Sequence, residues 1–175
     1  MIVETKSVEE TMSLGRKIGA TLKAGDVVTL SGDLGSGKTT LTKGIAQALG
    51  ITQTITSPTF TLIQIHELKK KTQAGQFAHI DTYRTKSAEE CIGAGITDIL
   101  FNEKTICVVE WPNKIKKLLT KETINIKLNT KNNKHEINVP DHILKFPIRK
   151  KIPIAYWLFL IIMIGFYLAL FKAVQ

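Results

Sequence analysis

The stretch "GDLGSGKTT", residues 32–40, decides the fold of this 175-residue chain. It fits the pattern G-x-x-x-x-G-K-[ST], in which the fixed positions are Gly32, Gly37, Lys38 and Thr39. Successive backbone N–H groups must converge on phosphate oxygens in such a loop, and glycine adopts conformations that a Cβ would obstruct. The lysine reaches phosphate, and the threonine hydroxyl can bind Mg²⁺. The stretch therefore predicts a phosphate-binding loop.

The sequence on both sides favours a working phosphate loop over a chance glycine turn. Residues 26–31 form a short β-branched run that is suited to a buried strand. Apolar residues at helical spacing follow the loop as far as Gly50, a typical helix stop: Leu41, Ile45, Ala46 and Leu49. Strand, loop and helix therefore come in the order that places phosphate at a helix N-terminus.

Further elements are predicted along the chain to residue 140. Ser7 and Glu10 have the spacing of a capping box, and apolar residues then recur every four positions to Leu22, which predicts a helix. The polar stretch 69–76 predicts a hairpin or a connection, and Asn132–Asn133 predicts a turn. The other predicted elements are strands in "FAHID" (77–81), "TICVVEW" (105–111), "TINIKLNT" (123–130) and "HEINVP" (135–140), and a short helix in "NKIKKLL" (113–119).

Two carboxylates and a histidine are candidate functional residues on the predicted strands. Glu110 follows four apolar residues, the pattern of a buried parallel strand with an acid at its C-terminal end, where open α/β sheets bind ligands. The alternative is an acid that points to solvent. Asp81 ends "FAHID" and is placed to orient a water or to bind metal indirectly. His79 is either a hydrogen-bonded core residue or a functional one.

Charge and composition limit the possible partners and the compartment. The chain has 24 basic and 15 acidic residues, a net charge of +9. This charge is compatible with an RNA partner, although a charged face that keeps a protein soluble is the commoner explanation. Cys91 and Cys107 lack CxxC spacing, which favours buried thiols in a reducing compartment over a disulfide or a metal site. The first seven residues lack the apolar core of a secretory signal.

Four stretches in this order resemble the TsaE (YjeE) family: "GDLGSGKTTLTKGIAQALG", "SPTFTL", "HIDTYR" and "VVEWP". The resemblance covers roughly residues 3–139. It implies a P-loop α/β fold with a mixed, mostly parallel sheet flanked by helices, with ATP and Mg²⁺ as ligands. It also implies that the chain is an ATPase needed to make threonylcarbamoyladenosine beside the anticodon of tRNA. Docking onto a TsaB–TsaD complex is implied too, with tRNA met indirectly or within the assembly.

The resemblance also implies the roles of individual residues. Thr39 and Glu110 match the metal-binding positions, Thr59 a switch residue near the γ-phosphate, and Asp81 a residue needed for hydrolysis, while Lys38 completes the catalytic set. Ser36 stands where alanine is usual, and Thr82 where leucine is usual. The implied ATP contacts are Gly32, Asp33, Leu34, Gly35, Ser36, Gly37, Lys38, Thr39, Thr40 and Trp111.

Other functions stay open at the level of sequence. A GTPase is disfavoured because residues 113–116 lack the aspartate of the N-K-x-D element. A small-metabolite P-loop kinase would need an acceptor pocket, and no arginine-rich lid is evident. A docking module that holds ATP to shape its surface, with incidental hydrolysis, is a further alternative. Arg84 either braces its loop through a salt bridge or contacts the transition state.

The last 35 residues predict a membrane anchor. Residues 154–171 contain no charge, and with residues 152–153 they reach the ~20 residues that span a bilayer core of about 30 Å. Three basic residues, 149–151, precede this run, so the positive-inside rule keeps the ATPase in the cytoplasm, tail-anchored in the inner membrane. The predicted division is an ATPase domain (1–140), a basic linker (141–151), a transmembrane helix (152–172) in the lipid bilayer and a short end (173–175).

Overall fold

A seven-stranded sheet forms the centre of the computed structural model, which describes residues 1–68, 73–132 and 134–144. The strands are β1 (Ile2–Thr5), β2 (Val27–Ser31), β3 (Ile63–Glu67), β4 (Gln76–Asp81), β5 (Thr105–Glu110), β6 (Ile124–Lys131) and β7 (Lys134–Asn138). The helices are α1 (Val8–Gly19), α2 (Lys38–Ala48), α3 (Ala88–Gly93), α4 (Ile96–Leu100) and α5 (Asp141–Leu144), with a 3₁₀ helix at Pro112–Leu118.

The strand order is β1-β7-β6-β2-β5-β4-β3. The four adjacent strands β6, β2, β5 and β4 run parallel to one another, whereas the pairs β1–β7, β6–β7 and β3–β4 are antiparallel. Five of the seven strands therefore share one direction. The arrangement confirms the predicted mixed, mostly parallel sheet.

The burial pattern of a strand shows whether one or both of its faces are covered. All six residues of β5 are buried, as expected for a parallel strand covered on both faces. In β6 the first five residues alternate between buried and exposed, the pattern of a strand with only one covered face. The continuous apolar run therefore forms a strand with a parallel neighbour on each side, whereas the alternating one forms the strand where the parallel part of the sheet meets antiparallel β7.

Helices cover both faces of the sheet. One face packs against α1 and α2 and includes Leu30, Phe77 and Val108, whereas the other packs against α3, α4 and the 3₁₀ helix and includes Ile80 and Val109. Neighbouring residues of β4 and β5 thus contribute to different cores, because successive strand side chains point to opposite faces.

Helix α1 begins at the predicted cap. The Ser7 hydroxyl accepts from the Glu10 N–H (3.1 Å), and the Glu10 carboxylate accepts from the Lys6 N–H (2.7 Å). The helix ends at Gly19, before the predicted Leu22.

Helices α1 and α2 approach each other most closely at Gly15 and Gly44. A Cβ on Gly15 would lie 2.4 Å from the Leu41 carbonyl oxygen and 2.9 Å from Gly44 Cα, and a Cβ on Gly44 would lie 2.2 Å from the Met12 carbonyl oxygen. The two backbones therefore approach so closely that neither position accepts a side chain without movement. This contact fixes α2, which follows the phosphate loop.

Some predicted elements differ from the structure. β1, α3 and α4 were not predicted, and "NKIKKLL" forms a 3₁₀ rather than an α-helix. Asn132 adopts the left-handed conformation expected of a turn (φ +50°), whereas Asn133 is outside the described residues. The stretch 69–72 is also outside them, but β3 and β4 on either side of it form an antiparallel pair.

The C-terminal predictions fall mostly on undescribed residues. Residues 141–144, the start of the expected linker, form α5, and Ile143 of this helix is buried in the core. The predicted span 152–172 lies outside the described residues. Within the ranges that the structure describes, no helix is long and apolar enough to cross a membrane. The domain division and the anchor stay predictions.

Candidate functional site

The phosphate loop connects β2 to α2, as the sequence predicts. Its first glycine, Gly32, has φ +145°, and a Cβ there would lie 2.1 Å from the Leu128 carbonyl oxygen and 2.9 Å from the Ser36 hydroxyl. Its last glycine, Gly37, is the N-cap of α2 with φ +94°, and no described side chain caps the helix there. The first N–H groups of α2 are therefore open to an anion.

Lys38, the first residue of α2, is folded back over this loop. Its ammonium donates to the carbonyl oxygens of Gly32 (2.9 Å) and Asp33 (2.7 Å) and to the Ser36 hydroxyl (3.4 Å). It also lies 3.8 Å from the centroid of the Trp111 ring, at cation–π distance. The Lys38 ammonium is thus held by the loop at the place where phosphate is expected to bind.

Burial lowers the pKa of the Lys38 ammonium, and the nearby carboxylates of Glu110, Asp81 and Asp33 oppose this effect. Only 5% of Lys38 is exposed. Because charges attract more strongly where water is excluded, the position favours a strong interaction between this ammonium and an anionic ligand.

Glu110, the last residue of β5, does not point to solvent, since only 2% of it is exposed. Its Oε2 accepts from the Thr39 hydroxyl (3.1 Å), and its Oε1 accepts from the Thr42 hydroxyl (3.4 Å). His79 Nε2 lies 2.8 Å from the same Oε1. Both oxygens of the Glu110 carboxylate are therefore hydrogen-bonded to side chains of the protein. The fold brings Thr39 and Glu110, the two predicted metal ligands, next to each other.

Asp81, the last residue of β4, lies opposite Glu110 in the parallel register of β4 and β5. Its Oδ2 accepts from the hydroxyls of Ser57 (2.5 Å) and Thr59 (2.7 Å), and its Oδ1 accepts from the Tyr83 N–H (2.9 Å). The "SPTF" loop is thus attached to the strand end. Ser57 was not singled out from the sequence, and its position two residues before Thr59 was the available signal.

Trp111, which follows Glu110, has the left-handed backbone conformation (φ +60°), and its N–H donates to the Leu30 carbonyl oxygen (3.1 Å). Its own carbonyl oxygen accepts from the Thr82 hydroxyl. Its ring centroid lies 4.8 Å from that of Tyr83. Threonine at position 82, where leucine is usual in the resemblance, thus supplies a hydrogen bond that holds the residue after Glu110.

Arg84 follows the Asp81 loop and lies with its guanidinium carbon 4.3 Å from the centroid of the exposed Phe60 ring. Among the described residues, no carboxylate lies within salt-bridge distance of Arg84, so the salt bridge, one of the two alternatives for this residue, is not observed. The side chain borders the site rather than being buried beneath it.

These residues surround one cleft of about 490 Å³. Of the predicted site residues, Gly32 and Asp33 line a smaller adjoining cleft instead, and Ser36 is fully buried beneath the loop. The main cleft is lined by Leu34, Gly35, Gly37, Lys38, Thr39, Thr40, Ser57, Thr59, Asp81, Tyr83, Arg84, Glu110 and Trp111.

The oxygen donors beside the phosphate loop fit a hard divalent cation. Thr39 Oγ1 and Glu110 Oε2 are neighbours at the helix N-terminus, and Mg²⁺ is typically bound through one or two carboxylates together with phosphates of the substrate. In the part of the chain that the structure describes, no group of three or more His, Cys, Asp or Glu residues could hold a metal ion. A metal site here would therefore be shared with the ligand.

The site combines a strand, a glycine loop and a helix that begins with lysine, and an acid lies at the end of the adjacent parallel strand. This combination defines a P-loop nucleotide-binding protein of the α/β class. The model of the family "Threonylcarbamoyl adenosine biosynthesis protein TsaE" matches residues 5–138. This match spans well over half of the chain. The chain belongs to the TsaE family.

Individual relatives agree with this assignment. The "tRNA threonylcarbamoyladenosine biosynthesis protein TsaE" of Bacillus subtilis is 41% identical over 124 residues, 70% of this chain and 73% of the relative. The protein of the same name from Treponema pallidum is 35% identical over 124 residues, 71% and 87% of the two chains. The crystal structure of Bacillus subtilis YdiB aligns with a TM-score of 0.62 and 32% identity, covering 82% of this chain and 88% of that one.

Proposed function

We propose that this chain binds ATP with Mg²⁺ and hydrolyses it as a switch subunit in the biosynthesis of threonylcarbamoyladenosine in tRNA. The observation that carries the proposal is the convergence of Lys38, Thr39, Asp81 and Glu110 on one cleft at a helix N-terminus. Family membership supplies the pathway, since the relatives are named for that biosynthesis.

Phosphate binding is assigned to the loop and to Lys38. The open N–H groups at the start of α2 and the helix dipole favour an anion there. The ammonium donates to two backbone carbonyl oxygens and one hydroxyl in the described structure, and phosphate oxygens are better partners because they are charged. Leu34, Gly35 and Thr40 line the same cleft, and Trp111 is assigned a place beside the nucleotide.

Metal binding is assigned to Thr39 and Glu110. Their oxygen atoms, 3.1 Å apart, are the hard donors that Mg²⁺ prefers. When bound, Mg²⁺ supplies charge neutralisation on the phosphates.

Hydrolysis is assigned to Asp81 with Thr59. Phosphoryl transfer to water depends on positioning and on charge stabilisation more than on covalent chemistry. The Asp81 carboxylate accepts hydrogen bonds at both oxygens, from the Tyr83 N–H at one and from the Ser57 and Thr59 hydroxyls at the other. These bonds fix its orientation, so that it can in turn orient the attacking water. Thr59 is assigned the switch role that the resemblance implies, and its hydroxyl joins the "SPTF" loop to this carboxylate.

The nucleotide assignment is tested by Lys38→Ala, with ATP binding in Mg²⁺ measured by calorimetry. Affinity should fall severely, since the phosphate charge loses its buried counterion. Lys43→Ala, which changes a lysine that does not line the cleft, is the matched control and should bind as the parent does. Undiminished affinity in a well-folded Lys38→Ala chain would rule the site out.

The roles of the two acids are tested separately. Asp81→Ala should keep ATP binding and lose turnover, whereas Glu110→Ala should lose the Mg²⁺-dependent part of the affinity. Parental ATP turnover in both variants, with the partner complex present, would contradict these roles.

We propose a TsaB–TsaD complex as the partner, with tRNA met indirectly or within that assembly. An ATPase assay with and without the complex tests this, and turnover should be weak alone and rise with the complex. Turnover that depends on a small-molecule acceptor would indicate the alternative, a small-metabolite kinase. Nucleotide-dependent docking without turnover would indicate a docking module with incidental hydrolysis.

For the C-terminal segment we propose a tail anchor in the inner membrane, with the ATPase domain (1–140) in the cytoplasm. The support is the uncharged run 154–171 and the basic residues 149–151 before it. The full chain should resist carbonate extraction, whereas a chain ended after residue 148 should be soluble and still bind ATP. A full chain found entirely in the soluble fraction would contradict the anchor.

A further inference from the structure

His79 is fully buried beneath the cleft but does not line it. It lies on β4, two residues before Asp81, so both side chains point to the same face of the sheet. That face packs against α2, and two hydroxyls of this helix, those of Thr39 and Thr42, donate to the Glu110 carboxylate. His79 therefore lies one layer below the carboxylates that face the cleft.

The register of the sheet directs the imidazole at Glu110. His79 pairs with Val108 and Asp81 pairs with Glu110, so Glu110 is the diagonal neighbour of His79 on the adjacent strand. The resulting contact is 2.8 Å from Nε2 to Oε1, with both side chains almost completely buried.

The other ring nitrogen indicates which tautomer makes this contact. Nδ1 of His79 is buried and has no hydrogen-bond partner among the described residues. A buried N–H needs an acceptor, and among the described residues the ring's hydrogen-bond partner is Oε1 of Glu110, which faces Nε2, so the proton belongs on Nε2. In that tautomer, Nε2–H donates to Oε1 of Glu110.

The two oxygens of Glu110 thus have different neighbours. Oε1 accepts from His79 and, more distantly, from Thr42, whereas Oε2 faces the Thr39 hydroxyl at the start of α2. Without the His79 donor, Oε1 would lose its closest partner and keep only the longer contact from Thr42, so the carboxylate would be held less firmly beside Thr39. Partners that hold a metal-ligating carboxylate typically change metal affinity 10–100-fold when they are removed.

We propose that His79 is a positioning residue for Mg²⁺: its Nε2–H fixes the Glu110 carboxylate so that Oε2 is presented beside Thr39. This inference rests on the proposed Mg²⁺–ATP site and names a residue that acts through Glu110 without touching the ligand.

The test is calorimetry of ATP binding by the full chain, once with Mg²⁺ and once with EDTA. His79→Leu keeps an apolar side chain in the layer but removes the donor. Its ATP affinity should fall about 10–100-fold in Mg²⁺ and stay at the parental level in EDTA. Phe77→Leu is the matched control, because Phe77 is fully buried on the same strand and face but does not touch Glu110. It should lower the melting temperature and keep the full Mg²⁺ effect.

A second pair of variants separates geometry from packing. The side-chain amide of His79→Gln can reach the place of Nε2, whereas that of His79→Asn is one bond shorter and cannot. The first should therefore retain the Mg²⁺ effect and the second should lose it. Equal Mg²⁺ effects in these two variants, or an undiminished effect in His79→Leu, would overturn the inference.

Nitrogen NMR of the unmodified full chain provides a readout that needs no variant. His79 should show a protonated Nε2 and an unprotonated Nδ1 in the absence of nucleotide, and the opposite tautomer would overturn the inference. If the parent chain did not bind ATP in either buffer, the proposed function itself would fail. If the parent bound Mg²⁺–ATP and the His79 variants bound it equally well, only the positioning role would be wrong.

Discussion

Replacing Gly15 with alanine should destabilise the fold by forcing α1 away from α2. The new Cβ would lie 2.4 Å from the Leu41 carbonyl oxygen, whereas ordinary contacts begin at 3.4 Å, so the helices must separate by about 1 Å. Both nearest atoms, this oxygen and Gly44 Cα, belong to backbone and cannot rotate away.

The expected magnitude follows from two opposing effects. Overpacking typically costs about 1–3 kcal/mol, and a clash with backbone lies at the upper end of that range. Alanine is a better helix former than glycine by about 1 kcal/mol, which offsets part of this cost. The free energy of unfolding should therefore fall by about 2 kcal/mol.

Urea unfolding followed by circular dichroism measures this change, and Gly93→Ala is the matched control. Gly93 is the last residue of α3, and a Cβ there would meet nothing within 4 Å. The control should be neutral or up to about 1 kcal/mol more stable than the parent. A Gly15→Ala chain that equals or exceeds the parent in stability would show that the close approach of α1 and α2 is not as the structure has it.

Three further substitutions or treatments test other parts of the molecule. Gly32→Ala should lower the melting temperature and abolish ATP binding, because its Cβ would lie 2.1 Å from the Leu128 carbonyl oxygen; thermal unfolding and calorimetry measure the two effects. Ser57→Ala should lower ATP turnover and leave ATP affinity unchanged in calorimetry, because the lost hydrogen bond is to Asp81 and not to the phosphate loop. Burial raises the pKa of the Cys107 thiol from 9.0 to about 12, so iodoacetamide should modify it only in the unfolded chain. Because the raised pKa belongs to the folded state, the thiol's contribution to stability is complete below pH 9 and is lost as the pH rises towards 12.

The central sheet and the phosphate loop could be predicted because their sequences are locally unambiguous. Parallel strands covered on both faces need continuous apolar runs, which β2 and β5 have, and the loop has a fixed spacing of glycines and lysine. β1 has only four residues, and α3 and α4 have six and five, so these elements are too short to show a periodicity.

The contacts that hold the acids could not be predicted from local patterns. The bond between His79 and Glu110 depends on the register of β4 against β5, and the bonds from Ser57 and Thr59 to Asp81 join residues 24 and 22 positions apart. The sequence shows the residue types but not which of them are in contact. It therefore left two interpretations of His79 open, a hydrogen-bonded core residue or a functional one. Pairing across strands, which the sequence does not state, brings this buried imidazole against the Glu110 carboxylate.

Because Lys38 contacts the Trp111 ring, the intrinsic fluorescence of this tryptophan should report ligand binding. The indole ring lies against a buried ammonium on one side and against Tyr83 on another, so its emission depends on where that charge is. A polyanion that draws the ammonium off the ring changes the polarity around the indole without any added dye. The chain has two tryptophans, so a Trp157→Phe chain would report from Trp111 alone. Arrival and departure of a ligand could then be followed in real time by stopped-flow fluorescence.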